Sequence, residues 1–344
     1  MKRFVFALAL LAVLCSCKKA EEPTSPVTND TIPTTPEEPT TPKVFMTTDI
    51  SAEGLVAVFN ALGITPSGNV AVKISTGESS NSNHLRPAFI LPLVQLVDGH
   101  LVECNTTYSG QRSTTASHRN VIQQRGYTVG GGFPYELDLM DEEGEMALAI
   151  PSANPHFDSA IVGSHMANYD FIINLAHFKG HAMGGFGGVL KNQSIGMSAR
   201  RGKALIHSAG RNTVSERWMQ YADDQDGFLE SMAEVANTIH QFFHQPGKQI
   251  VYINVMNNMS VDCDCDGNPL APRLKDIGIL ASTDPVALDQ ACIDLVTNHE
   301  NTSDDTAQPL LNRINQRHGL HILEHAAAIG LGSREYQLIS IDNQ

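Results

Sequence analysis

The chain has 344 residues, with 37 acidic against 23 basic side chains and a formal charge of −14. That balance argues against nucleic acid as a partner, because phosphate backbones are held by clustered Lys and Arg. Six cysteines are too few for a disulfide framework in a chain long enough to bury a large core.

Residues 1–16 read as an export signal: Lys2 and Arg3, then an apolar run from Phe4 to Leu14. The run is shorter than the roughly 20 residues a stable membrane span needs. It ends in Leu14-Cys15-Ser16-Cys17, which resembles the lipobox of bacterial lipoproteins. That resemblance implies cleavage before Cys17 and lipidation of its thiol. An ordinary cleaved signal without lipid is the alternative. The expected address is the bacterial cell envelope, with a membrane reached through a lipid anchor rather than a spanning helix. Residues 17–43 are dominated by Thr, Pro and Glu. Such a tract cannot bury enough apolar area to offset its ordering entropy, so it reads as a disordered tether.

Residues 44–344 then alternate short β-like runs with helical ones. This predicts an α/β fold with a mixed, largely parallel sheet flanked by helices, as one domain or two lobes. Strands are expected at 44–46, 69–74, 101–104, 171–176, 249–255, 276–280 and 336–341. Helices are expected at 52–62, 86–97, 115–124, 157–168, 190–199 and 285–296, with two more near the C-terminus. One long helix or two should fill 216–244, with Gly227 as a weak point. Residues 136–150 read as a hairpin turning at Glu143-Gly144. No internal repeat is present.

Two segments are dense in chemistry. In the first, an apolar strand runs straight into His177, Lys179 and His181. Glycines follow at 180, 184, 185, 187 and 188, and then a helix bearing Lys191. Ligands of open α/β sheets bind beyond the carboxyl ends of strands. Glycine-rich turns and helix N-termini expose amides to anions. Gly184, Gly185, Gly187, Gly188 and Lys191 are therefore expected to hold a small anionic ligand or cofactor. Lys179 and His181 are the candidate catalytic groups. The segment fits neither a Walker A loop nor the strict GxGxxG fingerprint.

The second segment is Val261-Asp-Cys-Asp-Cys-Asp-Gly-Asn-Pro269. If it is extended, Cys263 and Cys265 share one face. Two thiolates suit a soft transition metal such as zinc or iron, with His177, or else His181, adding a third ligand. A Cys263–Cys265 disulfide is a further reading, and a turn with buried cysteines another. A calcium loop fits the start at Asp262, Asp264, Asp266 and Gly267 but places Arg273 where a bidentate Glu is needed. Cys292 reads as core, and Cys104 ends a strand. Arg112, His118, His207 and Lys73 lie near strand ends or loops.

"FIINLAHFKGHAMGGFGGVLKN", "DCDC" with "PLAPRLKDIGILASTDPVALDQACIDLV", and "GLGSREYQLI" together resemble the uncharacterised iron–sulfur-centre proteins of the domain of unknown function 362. "VAVKISTGE", "LRPAFILPLVQLV" and "ECNTTYSGQR" fit the same family, so the likeness spans nearly all of 44–344. Many members carry an inserted ferredoxin-like module near the position of Arg200–Trp218. Here that stretch lacks cysteine, so ferredoxin-type clusters are not expected. The resemblance implies a shared scaffold but no settled reaction. The reading is a metal-dependent enzyme, its metal a Lewis acid or a redox centre, acting on an anionic small molecule; the alternative is a non-catalytic ligand- or partner-binding lipoprotein with a structural CxC turn.

Overall fold

A computed structural model describes residues 41–342. The export signal, Cys17 and all but the last residues of the expected tether lie outside the described residues. Among the described residues no helix is long and apolar enough to cross a membrane.

One sheet of eight strands organises the fold, in the order β12-β1-β11-β10-β7-β2-β3-β4. These are β1 (Lys43–Thr47), β2 (Val70–Lys73), β3 (His100–Glu103), β4 (Asp138–Leu139), β7 (Phe171–His177), β10 (Gln249–Met256), β11 (Gly278–Ser282) and β12 (Gln337–Ser340). Neighbours from β4 through β10 pair in parallel, as do β1 and β12. β11 alone is reversed, pairing antiparallel with both β1 and β10. The expected mixed, largely parallel α/β fold is what forms. β1 begins at Lys43, inside the segment read as tether.

The central strands are buried on both faces, as the continuous apolar runs require. Side chains alternate between two cores. Phe171, Ile173 and Leu175 of β7 pack with α1 (Ala52–Ala61) and α2 (Pro87–Leu96) through Leu55, Val58, Ile90 and Leu93. Ile172 and Ala176 face the opposite core. There they join residues of α4 (Val189–Met197), α6 (Gln225–Phe242) and α7 (Pro285–Thr297), including Leu190, Leu229 and Ala287. The helix starts follow the expected chemistry. Ser51 accepts from Gly54 N, Pro87 opens α2, and Asp284 accepts from Val286 N and Ala287 N.

Three local expectations fail. The hairpin at 136–150 does not form: β4 joins the main sheet, whereas β5 (Glu145–Ala149) pairs with β6 (Ser159–Gly163). The helix expected at 157–168 is therefore β6 plus a short 3-10 turn at Ser164–Asn168. Strand pairing outweighed the weak helical pattern of Ser-Ala-Ile-Val-Gly. α6 starts only at Gln225, because Asp224 caps it through Gly227 N, so Gly227 lies in its first turn rather than at a mid-helix break. α5 (Arg200–His207) lies where no element was expected.

A histidine–glutamate cluster ties α9 (His321–Ala328) to α6. His321 Nε2 lies 2.8 Å from Glu230 Oε1, and His156 Nδ1 lies 3.3 Å from the 1 % exposed Glu234. The Glu234 hydrogen bond raises the His156 pKa, and Glu230 raises that of His321 against the opposing effect of burial. Raised histidine pKa values stabilise most below the unfolded value of about 6.5, and the gain is lost as pH climbs through the folded values. Amides of α9 should therefore exchange more slowly at about pH 6 than at about pH 8, once corrected for intrinsic rates. Equal protection at both pH values would contradict this.

Candidate functional site

β2, β3 and β7 end side by side in Lys73, Glu103 and His177, and these three residues line a cavity of about 450 Å³. The cavity thus lies beyond the carboxyl ends of parallel strands, where the helix and loop connections diverge. Its other walls come from the loop after β3 through Arg112, the hairpin after β7, α4 and α5, Trp218, and the Asp262–Gly267 turn.

The hairpin consists of β8 (Lys179–His181) and β9 (Gly185–Gly187), paired antiparallel. Gly180 is required by close approach: its amide donates to Ser260 O at 2.8 Å, and a Cβ there would stand 2.3 Å from Val261 O. Gly180→Ala should separate the two chemical segments and destabilise the fold by about 1–3 kcal/mol; a chemical denaturation curve checks this.

Several amides of the glycine loop and the following helix are already engaged within the protein. Val189 N and Leu190 N, at the start of α4, donate to the Asp289 carboxylate at 2.9 and 3.0 Å. Gly184 N donates to His181 Nδ1 at 2.8 Å, and Gly185 and Gly187 belong to the hairpin. Gly187 and Gly188 line the cavity, whereas Gly184 and Gly185 do not. A Cβ on Gly188 would meet Asp289 Oδ1 at 2.2 Å, so this glycine makes room for the capping carboxylate. Burial raises the Asp289 pKa to about 6.

Asp264 is the hub of the second segment. Its buried carboxylate accepts from Lys179 Nζ at 2.8 Å and lies 3.0 Å from His177 Nδ1. Burial alone would raise its pKa, but Lys179 and His177 outweigh this and hold it far below the usual carboxylate range. The three aspartates diverge: Asp262 pairs with Arg313, and Asp266 accepts from Asn268 N within its own turn. They do not converge on one cation.

Two of the candidates already have partners. Both ring nitrogens of His177, the candidate metal ligand, are occupied: Nδ1 faces Asp264 and Nε2 lies 2.6 Å from Asn257 O. Lys179 Nζ is already engaged by Asp264 Oδ2 at 2.8 Å. His181 remains. Its Nδ1 accepts two backbone N–H groups, which leaves the proton on Nε2. Burial, and then the charges of Lys191 and other neighbours, lower its pKa well below the ordinary value, so the ring is neutral. The ligand atoms of His181, Cys263 and Cys265 lie within 4.8 Å of one another. Cys263 and Cys265 are joined as a disulfide, one of the readings left open by the sequence.

The other two thiols are elsewhere. Cys104 is in the cavity wall with Met197 O as acceptor, and Cys292 is fully buried behind β10 against Asn254. The four cysteines of the described residues therefore do not gather around one point.

Electrostatics single out the lysines. Among cavity carboxylates, Glu103 binds Arg112 and lies 3.1 Å from His118, while Asp262, Asp264 and Asp266 are engaged as above. Lys73, Lys191 and Lys203 have no carboxylate within ion-pair distance among the described residues. Lys73 donates to Ile74 O and Asn192 Oδ1, and Lys203 to Ser198 O. Lys191 has no hydrogen-bond partner among the described residues. Burial lowers the Lys73 pKa to about 8; burial and then the Lys179 charge lower that of Lys191 to about 7.

Sequence reasoning undervalued three cavity residues. Lys73 sits at a strand end and Arg112 in a loop, each of which is more often a surface position. His207 lies on α5, packed between Trp218 and Phe228 with Nδ1 at 2.6 Å from Lys203 O. Burial lowers its pKa to about 4. The strand-end position of Lys73 was the one usable signal.

No curated protein matches the chain. A family model described as a domain of unknown function, DUF362, matches residues 70–294. That span exceeds half the chain and contains every cavity residue from Lys73 to Gly267, so the chain belongs to the DUF362 family.

Proposed function

We propose that this is an exported, lipid-anchored enzyme that takes a small anionic molecule into the cavity above β2, β3 and β7. The observation that carries the reading is the set of three cavity lysines without carboxylate partners, inside a chain of charge −14. Buried cations without counter-ions are costly, and an anionic ligand relieves that cost. The neutral ring of His207 is in the same wall to exchange a proton.

The reading includes metal dependence. Reduced, Cys263 and Cys265 would offer two thiolates and His181 an imidazole, a set suited to zinc or iron. As a disulfide the same sulfurs are not thiolates, so a dithiol reductant must first supply two electrons and two protons. Zinc is expected to bind near one per chain after dithiol treatment, and not before it. Cys263→Ser should abolish that binding, as read by equilibrium dialysis. Zinc uptake independent of reductant or of Cys263 would remove metal from the reading.

The Cys263–Cys265 disulfide favours a second reading, a non-catalytic binding lipoprotein in which the bond fixes a turn. One experiment separates the two. Phosphate, pyrophosphate, oxalate and small oxo acids are screened for thermal stabilisation, and stabilising compounds are followed by NMR with oxidised, reduced and zinc-loaded protein. The enzyme reading expects both stabilisation and turnover. Stabilisation without turnover in any state supports the binder, and no stabilisation contradicts both.

A further inference from the structure

The cavity lysines are not equivalent. Lys73, Lys179 and Lys203 each have an acceptor within 2.5–2.9 Å that holds the ammonium in place. Lys191 alone among the four has none, although it is part-buried and lines the cavity. Its stem is placed by packing: Lys191 Cδ would be 3.3 Å from a Cβ at Gly187, and Lys179 Cε 4.0 Å from that same point. The glycine lets both lysine stems pass together into the cavity.

We propose that Lys191 is a nucleophile that forms an imine with the carbonyl group of a small oxo-acid anion. The inference rests on the reading of the cavity as an anion site, and it names the substrate class and the reacting group. A part-buried amine without an acceptor to retain its proton, close to other cations, is poised to react as the free base. The lowered Lys191 pKa agrees with the geometry. Lys73 and Lys203, each held by its own acceptor, are the partners for the substrate's acid group.

The step balances. Lys191 Nζ attacks the carbonyl carbon, forming the N–C bond while the carbonyl π pair moves to oxygen, which takes a proton. The carbinolamine then loses that oxygen as water while the nitrogen lone pair forms C=N. Amine, carbonyl compound and one proton give a protonated imine and one water, with no oxidant or reductant. His207 lines the same cavity for the two proton movements.

The test is trapping. The full chain is incubated with glyoxylate, pyruvate or pyridoxal phosphate, then with cyanoborohydride, and the adduct is located by peptide mass mapping. The expected result is one adduct at Lys191, suppressed by excess oxalate and lost in Lys191→Arg, which keeps the charge but cannot form the imine. Lys275→Gln, on an exposed side chain outside the cavity, should retain the adduct at Lys191. No adduct, or adducts spread over surface lysines, overturns the proposal. Thermal stabilisation by oxalate in the same samples shows whether the anion reading survives that failure; its absence means that both fail.

Discussion

Asp264→Ala is expected to destabilise the protein by about 3–5 kcal/mol, the range found when one partner of a buried ion pair is removed. The carboxylate is 2 % exposed and engages Lys179 Nζ at 2.8 Å and His177 Nδ1 at 3.0 Å. Its removal leaves the Lys179 amine without a counter-charge beside Lys191. The backbone is also involved, since Asp264 O accepts from Glu78 N at 2.8 Å, so the loop after β2 should loosen too. The sign of the pH dependence follows from the depressed pKa. Stability from Asp264 is present above the unfolded value of about 3.9 and is lost as pH falls toward the folded value. Urea denaturation at neutral pH checks the magnitude. The double variant Asp264→Ala/Lys179→Met should recover part of the loss, because it removes the orphaned charge. A loss under about 1 kcal/mol would mean that water solvates the pair.

Lys191→Gln is expected to weaken binding of a small dianion by roughly 10- to 100-fold, the worth of about 1.5–3 kcal/mol for a hydrogen bond to a charged group. The fold should hardly change, because Lys191 makes no hydrogen bond among the described residues that the variant would break. The variant should even be slightly more stable without ligand, since it removes a charge that burial disfavours. Lys73→Gln should also weaken binding but cost stability, because Lys73 Nζ donates to Ile74 O and Asn192 Oδ1. The contrast separates a residue kept for a ligand from one that also holds β2 to α4. Calorimetric titration with oxalate or pyrophosphate, paired with thermal melts of the unliganded variants, measures both halves.

The fold was legible where local signals agreed. The apolar runs of β7 and β10, the Asp284 cap and Pro285, and Pro87 at the start of α2 all gave the element and its position. It was illegible where pairing decided the outcome. Nothing local in Ser159–Gly163 says that it will pair with Glu145–Ala149. The candidate site was legible as two segments, because strand ends, histidines, lysines and paired cysteines are dense there. Their roles were not. Whether His177 or His181 keeps a free nitrogen depends on Asp264 and Asn257, a distant part of the chain. Whether the α4 amides are free depends on Asp289, about a hundred residues away. Position along the chain names the participants, and only tertiary contacts show which are already engaged.

The most direct test of the account is calorimetric titration of the purified protein with oxalate and with pyrophosphate across about pH 6–9. Lys191 and Lys73 lose their charges as pH rises through about 7 and about 8. The predicted result is saturable binding of at least one of the two anions, strongest near pH 6, weakening through this window, and reduced in Lys191→Gln. Absence of binding at every pH, or binding indifferent to both pH and Lys191, would contradict the account.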